Sequence, residues 1–537
     1  MQRALPYNSR HRRPHQTALP VNASHTSTSS AALALALVAP FLLAGCRDDA
    51  YPTPGADAGD AATRVVCNPV DFGAVGDGVV DDTVAIQRAI DSCVSQGGGR
   101  VELRVVGNRA VYLTGPITLK SRINLDIGAG VTLQATNDHS RFVPAWVNWV
   151  YRPNEALISA KGATDVSITG AGTIDGAADR PDPGDGGRTW HQVARTENAQ
   201  IISLRPYVLE FYECDGVTIS GLTLRNHPYW LQVIRYSRNV HISDLMINGM
   251  GRNTDGLDLV GVTNALVTNL DIRDGDDFIA IKSGWPSHPG DPDAALQAGL
   301  PQLPSSHIRI SNITGRDGQG ISIGSDALNG VHDVTIENVD LYNSRGGFRI
   351  KTGRDRGGHI HDIRVRDFVV HSGNWPLIID FYYAEIGPPP AGPAQPVTDR
   401  TPRVHDIYIR NLVGINTSSP SYVRGLPESC IHNLVIESSD LATAAGGMEL
   451  MHVTGTFIDV KNTPRPPPAP FPPPPPDPAA PPPPAPPAAP APPPPAPPGP
   501  TPPDPPFDVR ENVRIRALGT TSEIRDTGPK PDQLPCD

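Results

Sequence analysis

The chain has 537 residues, and 45 Lys and Arg against 56 Asp and Glu give it a formal net charge of -11. It contains no long basic run and no interleaving of basic with aromatic residues, so its composition argues against a nucleic-acid-binding protein. The length alone suggests about three or four domains, but stacked repeats form one long domain with a continuous core, so internal repeats decide the domain count.

The N-terminus is typical of an exported protein. Four arginines within the first 13 residues precede an apolar stretch over residues 31–44, which is short for a membrane span and typical of a signal peptide. The stretch ends in Leu43–Cys46, which resembles the bacterial lipobox, whose cysteine is acylated. We therefore expect a signal peptide over residues 1–46, lipidation of Cys46, and a lipid-anchored protein of the bacterial envelope, at the outer membrane or cell surface. An ordinary signal peptide beside a chance cysteine, with a secreted product, is the alternative.

Residues 47–64 are rich in Asp, Ala, Gly and Pro and predict a flexible tether. Export permits disulfides, and five cysteines remain when Cys46 is set aside, so at least one is unpaired. Cys67 and Cys93 bracket a single segment and form the favoured pair, which would stabilise the fold by a few kcal/mol at about this loop length. Two buried free thiols are the alternative.

One helix is predicted after the tether. Asp82 and Thr83 supply N-cap chemistry, the glycines at 97–99 end the helix, and apolar residues recur between them at three- and four-residue spacing, namely Ile86, Ala89, Ile90 and Cys93. Such a helix would cover the open end of the first repeat and protect its edge.

Beyond Val101 the sequence consists of short alternating strands separated by Gly, Asn and Asp. A phrase of aliphatic, variable and aliphatic residues recurs, beginning at Val166, Val217, Val240, Ala265, Ile308, Val334, Ile363, Ile407 and Leu434. Spacings of 23 to 29 residues define one coil, and the spacing of 51 predicts two coils. The spacings of 43 and 44 predict either a skipped coil or an insertion, at Trp285–Ser306 and Ile386–Pro402 respectively.

Coils of this length can stack about 4.8 Å apart, with their inward aliphatic residues in ladders. The sequence therefore predicts an all-β right-handed parallel β-helix, a single-stranded solenoid with an N-terminal capping helix, over residues 65–463. A sandwich or propeller would need tight hairpins and blade motifs at a longer period.

Residues 464–506 are almost only Pro and Ala, which predicts an extended polyproline segment, either a solvated arm or a spacer. The alternation over Phe507–Arg516 predicts one more strand, so residues 507–537 form the C-terminal strand and tail of the solenoid.

The densest set of carboxylates lies in two turns, Asn253–Gly256 (Asn-Thr-Asp-Gly) and Asp274–Asp277 (Asp-Gly-Asp-Asp). Asp255 and Asp276 are 21 residues apart, about one coil, so they can project from the same face. Glycosidic hydrolysis needs one protonated carboxyl and one carboxylate, and crowding raises the pKa of at least one member of such a set. Asp255, Asp276 and Asp277 are therefore the predicted catalytic residues.

Two further clusters are expected on the same face, Gly318–Gly320 (Gly-Gln-Gly) and Arg349–Lys351 (Arg-Ile-Lys). In this order the motifs resemble glycoside hydrolase family 28, the polygalacturonases, over about Val65 to Glu437. The segment Asp71–Thr83 is similar to one shared across the wider pectin-lyase-like superfamily.

This resemblance implies hydrolysis of pectic, galacturonate-containing polysaccharide with inversion. It assigns the general acid to Asp276, the attacking water to Asp255 and Asp277, and binding of the substrate carboxylate to Arg349 and Lys351.

The resemblance also implies substrate-binding roles for Asn253, Lys282, Gln319 and Trp230, the last within a variant of the family's Asn-Ser-Pro-aromatic segment. Gln319 stands where the family has His, and Gln can hydrogen-bond but cannot carry a proton or a charge. The acid and base are unaffected, but the choice of polymer is left open. No metal or cofactor is expected, and the protein is expected to be a monomer.

The sequence leaves two other functions open: a polysaccharide lyase on the same fold, and a catalytically weak carbohydrate-binding surface protein. A lyase would release unsaturated uronate, and a binding protein would retain pectin without releasing reducing ends. The scattered histidines, including His359, His361 and His405, are expected on turns.

Overall fold

The structure is a computed structural model that describes residues 65–143, 154–196, 205–284, 299–354, 356–383, 392–443, 447–462, 507–524 and 527. The predicted signal peptide with Cys46, the tether and the Pro-rich segment lie outside the described residues. Among the described residues, no helix is both long and apolar enough to cross a bilayer.

The chain forms a right-handed parallel β-helix in which each coil adds strands to three parallel sheets. The first sheet holds Val66–Cys67, Gly99–Leu103, Ile123–Ile127, Thr164–Gly170, Asp215–Ser220, Arg238–Asn248, Thr263–Arg273, Ser305–Arg316, Val331–Tyr342, His359–Asp380, Arg403–Thr417, Ile431–Glu437, Val453–Ile458 and Val513–Leu518.

The second sheet begins with five short strands, Asp77–Asp81, Val111–Thr114, Thr132–Ala135, Thr173–Asp175 and Thr223–Arg225. From Arg238–Asn248 onward, long strands of the first sheet turn the corner and continue this second sheet.

The third sheet, here called the site sheet, holds Ile117–Leu119, Ile158–Lys161, Leu209–Tyr212, Gln232–Arg235, Leu257–Val260, Ile279–Lys282, Ile321–Gly324, Ser344–Lys351, the end of His359–Asp380, Tyr422–Arg424, Met448–Met451 and Phe507–Val509. The helices are Thr83–Ser95 and Trp190–Thr196, with 3-10 turns at Pro69–Phe72, His139–Arg141 and Pro183–Asp185.

The recurring phrase aligns coil by coil in the first sheet, but the predicted coil count is wrong at one spacing. Val166 and Val217 are direct register partners, so the 51 residues between them form one coil, not two. The extra length includes the helix Trp190–Thr196. The longer spacings of 43 and 44 are also single coils with insertions, because Ala265 pairs with Ile308 and Ile363 pairs with Ile407.

The inward residues of these strands form the core. One ladder is at most 1% exposed throughout and consists of Ile168, Ile219, Ile242, Val267, Ile310, Ile336, Val365, Ile409 and Ile436. Truncating a buried Ile to Ala costs roughly 2–5 kcal/mol because it leaves a cavity as well as removing apolar contact. The ladder therefore fixes which residues of each coil face outward.

The first coil is closed by the helix Thr83–Ser95, as predicted, with Cys67 and Cys93 joined in a disulfide. Asp82 stands at the N-cap position, as predicted, but without the expected side-chain capping bond. Its side chain makes no bond to its own helix and instead accepts from the backbone N–H groups of Val75 (2.6 Å) and Gly76 (3.0 Å). Cys214 is the buried free thiol among the described cysteines.

Asparagines mark the corner between the first and second sheets. Asn269 and Asn312 both adopt a positive φ, at 58° and 57°. Asn312 donates to Asn269 Oδ1 over 3.1 Å, and Asn269 donates to Asp244 Oδ1 over 2.9 Å. These side chains satisfy one another along the stack at a backbone turn that Asn tolerates better than most residues.

The sheets continue on both sides of the Pro-rich segment. Met448–Met451 pairs in parallel with Phe507–Val509, and Val453–Ile458 pairs in parallel with Val513–Leu518. The chain therefore returns after residue 506 to add strands to the same stack.

Candidate active site

The predicted site residues meet at consecutive strands of the site sheet. Ile279 pairs with Leu257 on one side and Ile321 on the other, and Ile321 pairs with Phe348. Asp255, the pair Asp276 and Asp277, and Gln319 each precede one of these strands, while Arg349 and Lys351 lie within the next. The register thus brings together residues that are up to 96 positions apart in the sequence (255 to 351).

The three predicted catalytic carboxylates form one cluster. Each offers an oxygen that lies within 4.8 Å of those of the other two. Asp255 and Asp277 are 4% and 2% exposed, whereas Asp276 is half-buried and reaches the surface. Among the three, Asp276 is therefore the carboxyl most accessible to a polymer.

Asp277 is held as a carboxylate by protein cations. Its Oδ1 accepts from Arg349 Nη2 and from Ser322 Oγ (3.1 Å), and its Oδ2 accepts from Lys351 Nζ at 2.6 Å. Burial acts to raise the pKa of Asp277, but Arg349 and then Lys351 outweigh it and lower the pKa to about 2. Asp277 is therefore ionised at any pH at which the protein would work.

Asp276 and Asp255 are shifted in the opposite direction. Burial raises the pKa of Asp276, and the carboxylate of Asp277 raises it further, against the opposing effect of Lys351 and Arg349. Burial also raises the pKa of Asp255 well above its usual value, with Asp258 and then Asp276 adding to the effect. The site therefore pairs one fixed carboxylate with two neighbours that retain a proton more readily.

Lys282, a predicted substrate-binding residue, is buried in an internal network. Its Nζ donates to Asp258 Oδ1 at 2.5 Å, lies 3.9 Å from Asp255 Oδ2, and sits 3.6 Å from the centre of the Trp230 ring. Burial raises the pKa of Asp258 to about 6 even with Lys282 beside it.

Trp230, also predicted to bind substrate, is 5% exposed and stacks on Tyr229 and Tyr207. Lys282 and Trp230 are thus both buried, and their substrate-binding roles stay predictions.

Gln319 is half-buried beside the carboxylates. Its amide oxygen accepts from Arg349 Nη1 at 3.1 Å, and its backbone N–H donates to the carbonyl of Asp276 at 2.7 Å. Gly320 has a φ of 84°, and a Cβ there would lie 2.0 Å from the carbonyl oxygen of Gly347, so the backbone approaches the next coil as only Gly allows. The loop therefore holds the Gln319 side chain against Arg349.

Asn253 lies at the rim of the site with a φ of 55° and is half-buried. Its Oδ1 accepts from Arg205 Nη2 at 3.3 Å, and Arg205 also donates to the carbonyls of Pro228 and Arg252. Through Arg205, Asn253 thus links the turn before Asp255 to the segment that contains Pro228.

Three contributors to the site were missed in the sequence. Ser322 bridges Asp277 and Arg349, Asp258 pairs with Lys282, and Arg345, which donates to the carbonyl of Gly275, opposes the raised pKa of Asp276. Alternation offered a signal for two of them, because Ser322 and Asp258 are outward residues of strands whose neighbours face the core.

The three carboxylates form a donor set that a hard divalent cation accepts. Arg349 and Lys351 at Asp277 and Lys282 near Asp255 already offset much of their charge. The expectation of no metal or cofactor stays a prediction.

The sequence matches the profile of the family described as Glycosyl hydrolases family 28 over residues 99–443, more than half of the chain. A probable polygalacturonase of Vitis vinifera is 31% identical over 388 residues, which cover 68% of this chain and 73% of that protein. An endo-polygalacturonase of Pectobacterium carotovorum subsp. carotovorum is 27% identical, covering 56% of this chain and 72% of the relative.

Solved structures show the same fold. The exopolygalacturonase of Thermotoga maritima superposes with a TM-score of 0.58 at 24% identity, covering 74% of this chain and 91% of the other. The polygalacturonase of Erwinia carotovora ssp. carotovora gives a TM-score of 0.56 at 22% identity, covering 74% and 93%. Together with the carboxylate cluster, the profile match and the plant relative show that this chain is a glycoside hydrolase and belongs to family 28 of the glycosyl hydrolases.

Proposed function

We propose that the chain hydrolyses a galacturonate-containing, pectic polysaccharide, with Asp276 as the general acid and with Asp255 and Asp277 holding the attacking water. The observation that carries the proposal is the cluster itself, in which Asp276 reaches the surface beside Asp277, a carboxylate held by Arg349 and Lys351. The pKa of Asp276 is raised, by burial first, and that of Asp277 is lowered, by Arg349 first among the opposing groups. A carboxyl that keeps its proton more readily beside a fixed carboxylate is the pairing that acid-catalysed cleavage of a glycosidic bond requires.

The cations of the site support an acidic substrate. Arg349 and Lys351 lie side by side on the outer face of the site sheet, and Lys351 lies 5.2 Å from the centre of the half-exposed Tyr383 ring. A uronate has a carboxylate for the cations and an apolar ring face for the aromatic side chain. The relatives named polygalacturonase act on a polymer of this kind, as their names state.

The inverting outcome rests on the resemblance to the family, not on the spacing of the carboxylates. Oxygens within 4.8 Å are closer than the roughly 6.5–9.5 Å between carboxyl groups in most inverting enzymes. We place the attacking water between Asp255 and Asp277, on one side of Asp276. The leaving oxygen of the substrate then faces Asp276.

The first test measures reducing ends released from polygalacturonate, xylogalacturonan and rhamnogalacturonan by the wild type and by Asp276→Asn. We expect release from at least one of these polymers, and a fall in turnover of roughly 10²–10⁴ in the variant because it lacks the general acid. Circular dichroism controls for folding. Near-normal turnover in a folded Asp276→Asn protein would remove Asp276 from the acid role, and an ultraviolet-absorbing unsaturated product would make the enzyme a lyase.

We further propose that the protein is exported and anchored by lipid at Cys46, on the strength of the leader that ends in Leu43–Cys46. Bacterial lipoproteins carry more than one acyl chain, which makes the anchor firm. In bacteria that process lipoproteins, the parent should fractionate with membranes and Cys46→Ser should appear in the soluble fraction. The same distribution for both proteins would contradict the anchor.

A further inference from the structure

A histidine and an aspartate that the proposed chemistry does not use form a buried pair beside the site. His227 and Asp274 are both 0% exposed, and His227 Nε2 lies 2.9 Å from Asp274 Oδ1. Asp274 directly precedes Gly275 and the two carboxylates Asp276 and Asp277. The pair therefore lies at the start of the turn that carries the proposed acid.

The pair bridges two coils that are not neighbours. Asn248 is the register partner of Arg225 on one side and of Arg273 on the other, so these residues mark three consecutive coils. His227 follows the first of the three strands, and Asp274 follows the third. The imidazole therefore passes the turn of the intervening coil to reach the carboxylate.

Gly249, at the start of the intervening turn, leaves the space that the imidazole occupies. A Cβ on Gly249 would lie 1.9 Å from Cε1 and 2.2 Å from Nδ1 of His227. The same turn continues to Asp255. The His227 ring therefore packs against the backbone of one catalytic turn, while its Nε2 reaches the start of the other.

Hydrogen bonds connect Asp274 to both catalytic turns. Its Oδ1 accepts from the backbone N–H of Gly275 at 3.1 Å, and Thr254 Oγ1 accepts from the same N–H at 3.1 Å. Thr254 directly precedes Asp255, and Gly275 directly precedes Asp276. The contacts of Asp274 therefore restrain the backbone at the positions that set where these two carboxyl groups project.

The imidazole is also the main partner of the buried carboxyl. Burial acts first to raise the pKa of Asp274, and the charge of His227 is first among the influences that oppose it. An enclosed carboxylate is costly unless it is paired, and removing one member of a buried pair leaves the other uncompensated. Loss of the imidazole should therefore disturb the turn that begins at Asp274.

We infer that His227 and Asp274 are positioning residues that hold Asp276 in the geometry for proton donation, a role that rests on the proposed function of Asp276 as the acid. Both are enclosed, so neither touches the substrate. A misplacement of about 1 Å can lower a rate roughly 10²-fold. The proposed substrate-binding cations Arg349 and Lys351 are held by Asp277 instead, so the pair should act on kcat and leave KM.

The test compares two substitutions of the histidine in the full-length protein. His227→Phe keeps a ring beside Gly249 but offers no nitrogen to Asp274, so kcat on the best polymer should fall roughly 10–100-fold while KM stays near its wild-type value. His227→Gln, whose amide nitrogen can take the place of Nε2, should restore most of the loss. Circular dichroism and urea midpoints give the folded fraction, and kcat is expressed per folded protein.

His452 provides a matched control. It is also 0% exposed and lies near a carboxylate, Glu511, at 3.9 Å, but it follows the strand Met448–Met451 near the C-terminal end of the stack. His452→Phe should lower the urea midpoint and keep kcat. Equal losses of kcat in His227→Phe and His452→Phe would reduce the buried pair to a general contribution to stability and overturn the positioning role.

Hydrogen exchange gives a second readout that needs no substrate. In His227→Phe, the N–H of Gly275 should exchange faster, measured by mass spectrometry on a peptide that contains residues 274–278. If the wild type cleaves none of the polymers, the proposed function fails, and the exchange rate still decides whether the pair holds this turn. Wild-type kcat and exchange in folded His227→Phe, or a loss of kcat that His227→Gln does not reduce, would overturn the inference.

Discussion

Arg349 connects the residue that departs from the family to the residues that perform the chemistry. It donates to Asp277, to Ser322 and to the amide oxygen of Gln319. A neutral amide satisfies this donor without adding charge next to Asp276, whose pKa is raised by burial and then by the Asp277 carboxylate. Gln319 therefore adds no positive charge that would oppose the raised pKa of the proposed acid.

A histidine at this position should shift the pH profile. An imidazolium beside Asp276 would favour its carboxylate and lower its pKa, so the alkaline limb of kcat should move to lower pH in Gln319→His. The measurement is kcat against pH on the best polymer, with the neutral variant Gln319→Leu as the control that should keep the wild-type limb. Coincident alkaline limbs for wild type and Gln319→His would restrict Gln319 to packing and to binding Arg349.

The order of motifs in the sequence predicts some residues of the site, but it does not predict how their side chains are buried. The three aspartates, Arg349 and Lys351 could be found from motif order, and the structure brings them together. The burial of Trp230 against Lys282 could not be found in this way, because it depends on how residues from different coils pack. A cation and an aromatic ring in a motif look alike in sequence whether they face substrate or support a carboxylate.

At the scale of the coil, the corner asparagines determine where each strand can turn. Asn269 combines a φ of 58° with hydrogen bonds to Asp244 and Asn312 on the coils before and after it. A left-handed conformation costs roughly 1–2 kcal/mol for an ordinary L-residue and almost nothing for Gly.

Two substitutions at this corner separate backbone strain from the side-chain bonds. Asn269→Ala should lower the free energy of unfolding by about 1–2 kcal/mol, because it adds strain and removes the hydrogen bonds. Asn269→Gly should lose less, because only the exposed hydrogen bonds are gone. Urea unfolding of the three proteins measures both effects, and an Asn269→Gly protein less stable than Asn269→Ala would show that strain is not the larger cost.

Strand phrases were predictable from sequence at this scale because each coil must place an aliphatic pair inward. The phrase beginning at Val166 and its eight successors all align in the first sheet. The length between phrases was less informative, since 51 residues fit either two plain coils or one coil with a folded insertion. The register of Val166 with Val217 decides for the insertion, which includes the helix Trp190–Thr196. Seven residues are too short a window for apolar periodicity to predict this helix.

At the scale of the whole molecule, the fold results from the repetition of similar coils. The site results from the register in which the strands of neighbouring coils pair. A one-coil shift between strands would separate Asp255 from Asp277 and Asp277 from Arg349, so the buried ladder and the site depend on the same alignment. The helix Thr83–Ser95, which contains Cys93, and the disulfide that joins it to Cys67 close one end of this stack. His359, His361 and His405 lie on strands of the first sheet, with His361 and His405 in direct register, and not on turns as predicted.

The most direct measurement follows the cleavage of a galacturonate polymer by nuclear magnetic resonance from the first minutes of reaction. Because the polymer is α-linked, the account predicts saturated products whose new reducing ends appear first as the β anomer, and the loss of this signal in Asp276→Asn. First appearance of the α anomer would contradict the proposed water between Asp255 and Asp277. Unsaturated ends, or undiminished cleavage by folded Asp276→Asn, would contradict hydrolysis by this cluster of carboxylates.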